Sequence, residues 1–142
     1  VEIADIPGSG AAGGLGGGLM AFCRAQLKPG IEMVLDIQQF EDMLQDVDLV
    51  ITGEGRIDGQ SAKGKVPAGV AKRAKRLNKP VVAIAGGVEE GTEGLYNMGL
   101  DLILPIVDGP MGLRESMDEV GNLLEKTGER LARIVMLSQK LK

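Results

Sequence analysis

The chain has 142 residues, which is enough for one ordinary domain with an apolar core. It contains no histidine, so a Ser-His-Asp triad and histidine-ligated zinc are excluded within this chain. The net charge of −4 argues against a general nucleic-acid binder, and no apolar run is long enough to cross a membrane. The single cysteine, Cys23, cannot form an internal disulfide, which favours a reducing cytoplasm.

The first third of the chain is irregular and rich in glycine. Residues 1–6 are predicted to form a short strand that Pro7 ends. A buried helix over 19–25 is expected to begin inside the preceding glycines. The apolar run at 31–35 is expected to form a further strand, and 38–44 a short helix.

From Asp48 onward, apolar runs alternate with amphipathic segments. This alternation is typical of a parallel sheet with flanking helices, so we predict an α/β fold of the Rossmann-like or flavodoxin-like kind. In the amphipathic segment after Pro67, the basic residues at 72–76 are expected to form a solvated face. The predicted elements, in order, are a strand at 49–51, a helix at 67–77, a strand at 81–85, a helix at 92–98, a strand at 101–107 and a long helix at 113–141.

A polar connection, residues 53–65, joins the 49–51 strand to the next helix. Such a connection lies at the carboxyl edge of a parallel sheet, where α/β proteins bind ligands. A carboxylate there could accept the proton of a hydroxyl that attacks phosphorus, or it could hold a magnesium ion. Composition alone slightly favours a simpler role, an ion pair of Arg56 with Asp58 or Glu54 that braces the turn.

The end of the polar connection spells the first seven positions of a P-loop. The eighth position, which should be Ser or Thr, is Val66, so we reject a true P-loop. Lys65 remains well placed to meet a phosphate just before a helix. Lys63 is expected to be a solvated surface charge.

Three glycines, Gly8, Gly10 and Gly13, are spaced as in a dinucleotide-binding fingerprint. Asp36 follows downstream, where a ribose-binding acid would lie. Because glycine is so frequent in this chain, the match is weak evidence for a nicotinamide-dependent oxidoreductase. Close backbone packing and anion binding by backbone N–H groups are better supported, and the sequence does not separate them.

Two long stretches resemble the signatures of the bacterial glycerate kinase family, the type with two dissimilar α/β domains. They are PGSGAAGGLGGGLMAF (Pro7 to Phe22) and DLVITGEGRIDGQSAKGKVPAGVA (Asp48 to Ala71). KPGIEMVLD and PVVAIAGGV are also similar to that family, so the resemblance covers essentially the whole chain. It implies that 1–45 end the second, inserted domain, and that 46–142 end the Rossmann-like domain of a longer enzyme.

The resemblance implies an enzyme that uses ATP and Mg²⁺ to phosphorylate D-glycerate, in the cytoplasm. The N-terminal part of the same polypeptide would be its partner, without nucleic acid or membrane, and a homo-oligomer is left open. An NAD-dependent oxidoreductase domain and a non-catalytic ligand-binding fragment are the alternatives.

The resemblance also suggests where the site lies, in residues 8–14, called here the glycine segment, and in 54–65. Asp58 is assigned as the base or as a ligand of Mg²⁺. Arg56 and Lys65 are assigned to stabilise phosphoryl charge or to hold the glycerate carboxylate. The residues expected to bind substrate or phosphate are Gly8, Ser9, Gly10, Gly13, Gly14, Glu54, Gln60 and Ser61.

Overall fold

The computed structural model describes residues 2–61 and 64–141. Its centre is a sheet of three parallel strands in the order β1-β2-β3, so β1 and β3 form its edges. The strands are β1 (Val50–Ile57), β2 (Val81–Val88) and β3 (Leu102–Pro105). The helices are α1 (Ala11–Cys23), α2 (Gly30–Ile37), α3 (Phe40–Met43), α4 (Val66–Arg76), α5 (Glu93–Met98), α6 (Leu113–Asp118) and α7 (Val120–Lys140). The predicted α/β fold with a parallel sheet and flanking helices is confirmed.

The main core lies between the sheet and α4, and its buried residues are aliphatic. Alternate residues of a strand face the same side of a sheet, and Val81, Ala83 and Ala85 of β2 are buried in this core. One face of α4 meets them through Ala71 and Ala74. The other buried apolar residues of this core are Leu35, Leu44, Val50, Ile57, Ala68, Val70, Leu95, Leu100 and Ile103.

β1 is longer than the predicted strand at 49–51. It continues to Ile57 because β2 offers a parallel partner along its whole length. Glu54 and Arg56 therefore lie on a strand, opposite Ala85 and Gly87, and not in a loop. Only the part of the polar connection after Ile57 is a loop.

The strands predicted at 1–6 and 31–35 are wrong. Residues 4–7 form turns and a bend, and Ile6 N–H donates a hydrogen bond to Ile3 O at 3.2 Å; Val1 lies outside the described residues. Residues 31–35 belong to α2. The four-residue spacing of Ile31 and Leu35 puts both on one side of a helix, where both pack against the core. A short apolar run fits a strand or a buried helical turn equally well.

The predicted solvated face at 72–76 is correct for Lys72, Lys75 and Arg76, which are exposed. It is wrong for Arg73, which is only 6% exposed. Carboxylates of α2 and α3 reach this guanidinium and allow its burial.

The long helix predicted at 113–141 is interrupted. α6 ends at Asp118 and α7 begins at Val120, with Glu119 at φ −94° and ψ 9° between them. On α7, Leu123, Thr127 and Leu131 are buried. In the described ranges, no helix combines the length and the apolar character that crossing a membrane requires.

Candidate active site

Asp58 directly follows β1, at the carboxyl edge of the sheet. The preceding residue, Ile57, is fully buried, and its carbonyl accepts a hydrogen bond from Glu89 N–H at 2.9 Å. A turn follows, closed by Ser61 N–H donating to Asp58 O at 2.9 Å. Lys65 then occupies the N-cap position of α4, whose first turn tolerates Pro67 because the missing N–H would have no partner there. The fold thus anchors both ends of the connection.

The Asp58 carboxylate is held by three donors. Its Oδ1 accepts hydrogen bonds from Gln60 N–H at 2.9 Å and from Ser61 Oγ at 3.0 Å. Lys65 Nζ lies 3.3 Å from both Oδ1 and Oδ2. Ser61 is fully buried, and its hydroxyl also accepts a hydrogen bond from Asp58 N–H at 3.0 Å. Four of the predicted site residues are therefore in mutual contact.

These contacts decide the ionisation of Asp58. Partial burial raises the pKa of Asp58, but hydrogen bonds from Ser61, Lys65 and Gln60 N–H, together with the charge of Lys65, outweigh it. The pKa of this carboxyl therefore lies below its ordinary value, and the group is ionised at neutral pH. An ionised carboxylate beside an ammonium group can accept a proton from a substrate hydroxyl while the cation meets a phosphate.

Arg56 and Glu54 lie upstream on β1. Arg56 forms an ion pair with Glu89, which raises the pKa of Arg56. The predicted brace between Arg56 and Asp58 or Glu54 is therefore wrong, because the parallel register places Arg56 opposite Gly87, two residues before Glu89. Both partners are exposed, and such a pair is exchanged at little cost when an anionic ligand arrives.

Glu54 and Lys65 share a cavity that sequence reasoning missed. This cavity, called here the α2 cavity, has a volume of about 720 Å³ and lies between α2 and the start of α4. Ile31 and Val34 of α2 form an apolar wall of this cavity, which the two charged residues also line. No local sequence signal reveals this wall, because the four-residue spacing of Ile31 and Leu35 fits one face of a strand as well as one face of a helix.

The glycine segment forms a left-handed turn at the start of α1. Ala12, Gly13 and Gly14 have φ of 51°, 68° and 90°, in a region that glycine enters at low cost. Its hydrogen bonds are local: Gly17 N–H donates to Ser9 O at 2.9 Å, and Gly14 N–H to the carbonyl four residues before it at 3.2 Å. Its convergence with the polar connection on one ligand stays a prediction.

The dinucleotide fingerprint lacks its structural context. That motif needs a strand before the glycines and an acid at the end of a second strand. Residues 4–7 form turns and a bend, and Asp36 lies in α2. Its Oδ1 is 2.5 Å from Arg73 Nη2, so the carboxylate is already engaged.

The described residues could hold Mg²⁺ only together with the phosphates of a bound nucleotide. In the ranges 2–61 and 64–141, no three acidic, histidine or cysteine side chains are grouped so that they could hold a metal ion. Asp58 offers one carboxylate beside Lys65. Mg²⁺ in kinases is held by one or two carboxylates plus substrate phosphates, and Asp58 matches that requirement. The predicted surface charge Lys63 lies outside the described residues.

Comparisons with known proteins agree with the resemblance. The model of the glycerate kinase family matches residues 1–136. A glycerate kinase of Halalkalibacterium halodurans is 49% identical over 131 residues, which are 92% of this chain and 34% of that protein. The glycerate 2-kinase of Escherichia coli K12 is 49% identical over 107 residues, 75% of this chain and 28% of that protein.

A solved structure also matches. A chain from Salmonella typhimurium LT2, described as a candidate glycerate kinase 2, superposes with a TM-score of 0.71 at 42% identity. The match covers 100% of this chain and 35% of that one. The chain thus spans about a third of the length of the relatives it matches. On the match of 136 residues, it belongs to the glycerate kinase family.

Proposed function

We propose that the protein to which this chain contributes transfers the γ-phosphoryl group of ATP to a hydroxyl of D-glycerate. Support comes from family membership and from relatives named glycerate kinase. The single observation in the structure that carries the proposal is the Asp58 carboxylate with Lys65 Nζ at 3.3 Å, at the ligand-binding edge of a parallel sheet.

Asp58 receives the proton in this proposal. The glycerate hydroxyl oxygen forms a bond to the γ-phosphorus, and the bond from that phosphorus to the β,γ-bridging oxygen breaks. The electron pair of the broken bond leaves with ADP, and the hydroxyl proton passes to the Asp58 carboxylate. Because phosphoryl transfer depends mainly on positioning and charge stabilisation, a carboxylate with a lowered pKa is adequate for this role.

Lys65 and the start of α4 supply positive charge. Lys65 Nζ leaves Asp58 as the proton arrives there, and it then meets the phosphoryl oxygens. The N-terminus of α4, directly after Lys65, adds the partial positive charge of unpaired N–H groups. Arg56 exchanges Glu89 for the glycerate carboxylate, which it can bind through two parallel hydrogen bonds.

The remaining site residues complete the proposal. Gln60 and Ser61 orient substrate hydroxyls, and backbone N–H groups of the glycine segment cradle an anionic group. Mg²⁺, when bound with ATP, would neutralise phosphate charge, and Asp58 could hold it in place of accepting the proton. The two-domain division at 45/46, the cytoplasmic location and self-association stay predictions.

Product identification tests the activity. The complete polypeptide is incubated with ATP, Mg²⁺ and D-glycerate, and the product is identified by phosphorus NMR, which also tells which hydroxyl carries the phosphate. We expect a phosphoglycerate, and no phosphorylated product would overturn the proposed function.

Asp58→Asn tests the role of the carboxylate. Removal of a positioned proton acceptor is expected to lower kcat by roughly 10²–10⁴-fold while circular dichroism stays unchanged. Asp118→Asn, at an exposed position of α6, is the matched control and should leave kcat unaltered. Near-normal turnover of Asp58→Asn would remove Asp58 from the catalytic role without touching the assigned activity.

A further inference from the structure

Arg73 binds three carboxylates from two other helices. Its Nε and Nη2 lie 3.0 and 2.7 Å from Glu32 Oε2, and Nη2 also donates to Glu32 O at 3.0 Å. Nη2 is 2.5 Å from Asp36 Oδ1, and Nη1 is 3.1 Å from both carboxylate oxygens of Glu41. The guanidinium of α4 therefore gathers α2 and α3 around one point.

The cluster is asymmetric in charge and in burial. The Arg73 side chain is 7% exposed, while those of Glu32, Asp36 and Glu41 are 30%, 58% and 38% exposed. One buried cation thus balances three partly exposed anions. Loss of the cation would remove the charge by which α4 attracts α2, and it would leave the carboxylates of α2 and α3 facing one another without a counter-ion. The attachment of α2 to α4 depends on Arg73 more than on any one of the acids.

The same two helices touch at a second point, closer to the active site. Gly69 of α4 lies so close to Ile31 of α2 that a Cβ built at Gly69 would be 2.5 Å from Ile31 Cγ1. One turn further toward the start of α4, Val66 and Lys65 line the α2 cavity together with Ile31. The position of α2 therefore fixes the width of the cavity beside Lys65 and Glu54.

We propose that Arg73 is a positioning residue that holds α2 as a wall of the α2 cavity, and that the small hydroxy acid binds at the Lys65 end of this cavity, where Lys65 contacts Asp58. The inference rests on the proposed function. Arg73 touches no reacting atom in this scheme and acts through Ile31 and Val34. A wall that contacts the substrate in its ground state and its transition state alike contributes uniform binding, so its displacement raises KM and leaves kcat nearly unchanged.

The test compares Arg73→Met with Arg73→Lys in the complete polypeptide. Hydrogen exchange of residues 30–37 reports the attachment of α2, and steady-state kinetics with D-glycerate reports KM and kcat. We expect Arg73→Met to accelerate exchange in α2 and to raise KM about tenfold, a change of roughly 1.4 kcal/mol in binding, with little change in kcat. Arg73→Lys keeps the charge without the guanidinium fork and should restore part of both effects.

Arg76→Met is the matched control, because Arg76 is an exposed arginine on the same helix. Unaltered exchange in α2, faster exchange with an unchanged KM, or a fall in kcat alone would each overturn the inference. If Arg73→Met does not fold, Glu41→Gln weakens one contact of the cluster and is judged by the same two readouts. A wild-type protein without glycerate kinase activity would instead refute the proposed function, while the exchange readout would still show whether Arg73 holds α2.

Discussion

Asp58 and Lys65 face each other across the connection between β1 and α4, with Lys65 Nζ equidistant, at 3.3 Å, from the two carboxylate oxygens. The Lys65 side chain is 39% exposed and the Asp58 side chain 24% exposed, so both can reach solvent and a ligand at the sheet edge. A pair that is both preorganised and accessible can separate as substrate charge arrives. Mutation of Lys65 therefore tests the proposed site most directly.

Lys65→Met is expected to lower kcat/KM for phosphoryl transfer by about 10²–10³-fold, because it removes a cation aimed at the developing charge. Lys65→Arg keeps the charge but changes its geometry, so its kcat/KM should lie between that of the wild type and that of Lys65→Met. Steady-state kinetics with ATP and D-glycerate provides the measurement. Lys72→Met, at an exposed position of the same helix, controls for loss of a positive charge. A loss no greater than that of this control would contradict the role of Lys65.

The lowered pKa of Asp58 predicts how the polar connection responds to acid. Because the folded-state value lies below the unfolded value of about 3.9, this group stabilises the fold fully above that pH. The stabilisation is lost as the pH falls toward and through the lowered folded-state value. Ser61→Ala removes a hydrogen bond that lowers this pKa, so the pKa of Asp58 should rise.

Carbon NMR of labelled aspartate carboxyls measures that rise, and circular dichroism follows acid unfolding. The midpoint of acid unfolding should move to higher pH in Ser61→Ala. Ser116→Ala is the control, because the Ser116 hydroxyl only donates to the Leu113 carbonyl at an exposed site. An unchanged or lower Asp58 pKa in Ser61→Ala would show that Ser61 does not stabilise the ionised form.

The burial of Leu95 predicts how much stability is lost when a core side chain is truncated. Leu95 is fully buried in the core where α5 packs against α4, so Leu95→Ala should destabilise the protein by about 2–5 kcal/mol. Leu113→Ala removes the same atoms at a site that is 78% exposed, and it should change stability by less than about 0.5 kcal/mol. Urea denaturation measures both. Equal losses for the two variants would mean that the core is not organised around Leu95.

Glycine-to-alanine substitutions at Gly69 and Gly121 should change stability in opposite directions. Gly69→Ala would force Ile31 away and should cost about 1–3 kcal/mol, as overpacking does. Gly121→Ala lies in α7, where an added Cβ meets nothing within 4 Å, and should stabilise the helix by up to about 1 kcal/mol. Thermal unfolding separates the two signs. Adding Ile31→Ala to Gly69→Ala should cost less than the sum of the two single changes, and strict additivity would argue against the close contact.

Local pattern identified the strands and helices of the second half of the fold, although not all of their bounds, and it failed for the two strands predicted in the first part. β2 was recognised from its apolar run, and α4 from its amphipathic period and Pro67. The run at 31–35 was misassigned because five apolar-rich residues carry no period that separates a strand from a helical turn. The length of β1 was underestimated because it depends on pairing with β2, which no local pattern shows.

The site shows the same division. Asp58, Gln60, Ser61 and Lys65 could be grouped in advance because they are close in sequence and follow a strand. The partner of Arg56 could not be predicted from the sequence, because only the register of β1 and β2 brings Glu89 close to Arg56. Arg73 was placed on a solvated face because its three carboxylates lie 32 to 41 positions away, and a helical period records only which side a residue occupies.

β1 is eight residues long and forms one edge of the three-stranded sheet. Along its outer side, amide and carbonyl groups point away from β2, and Ile51 near its start is 55% exposed. An edge of this kind is a template onto which another extended segment can add. We therefore expect this chain to self-associate by strand-to-strand addition along β1, which size-exclusion chromatography would detect.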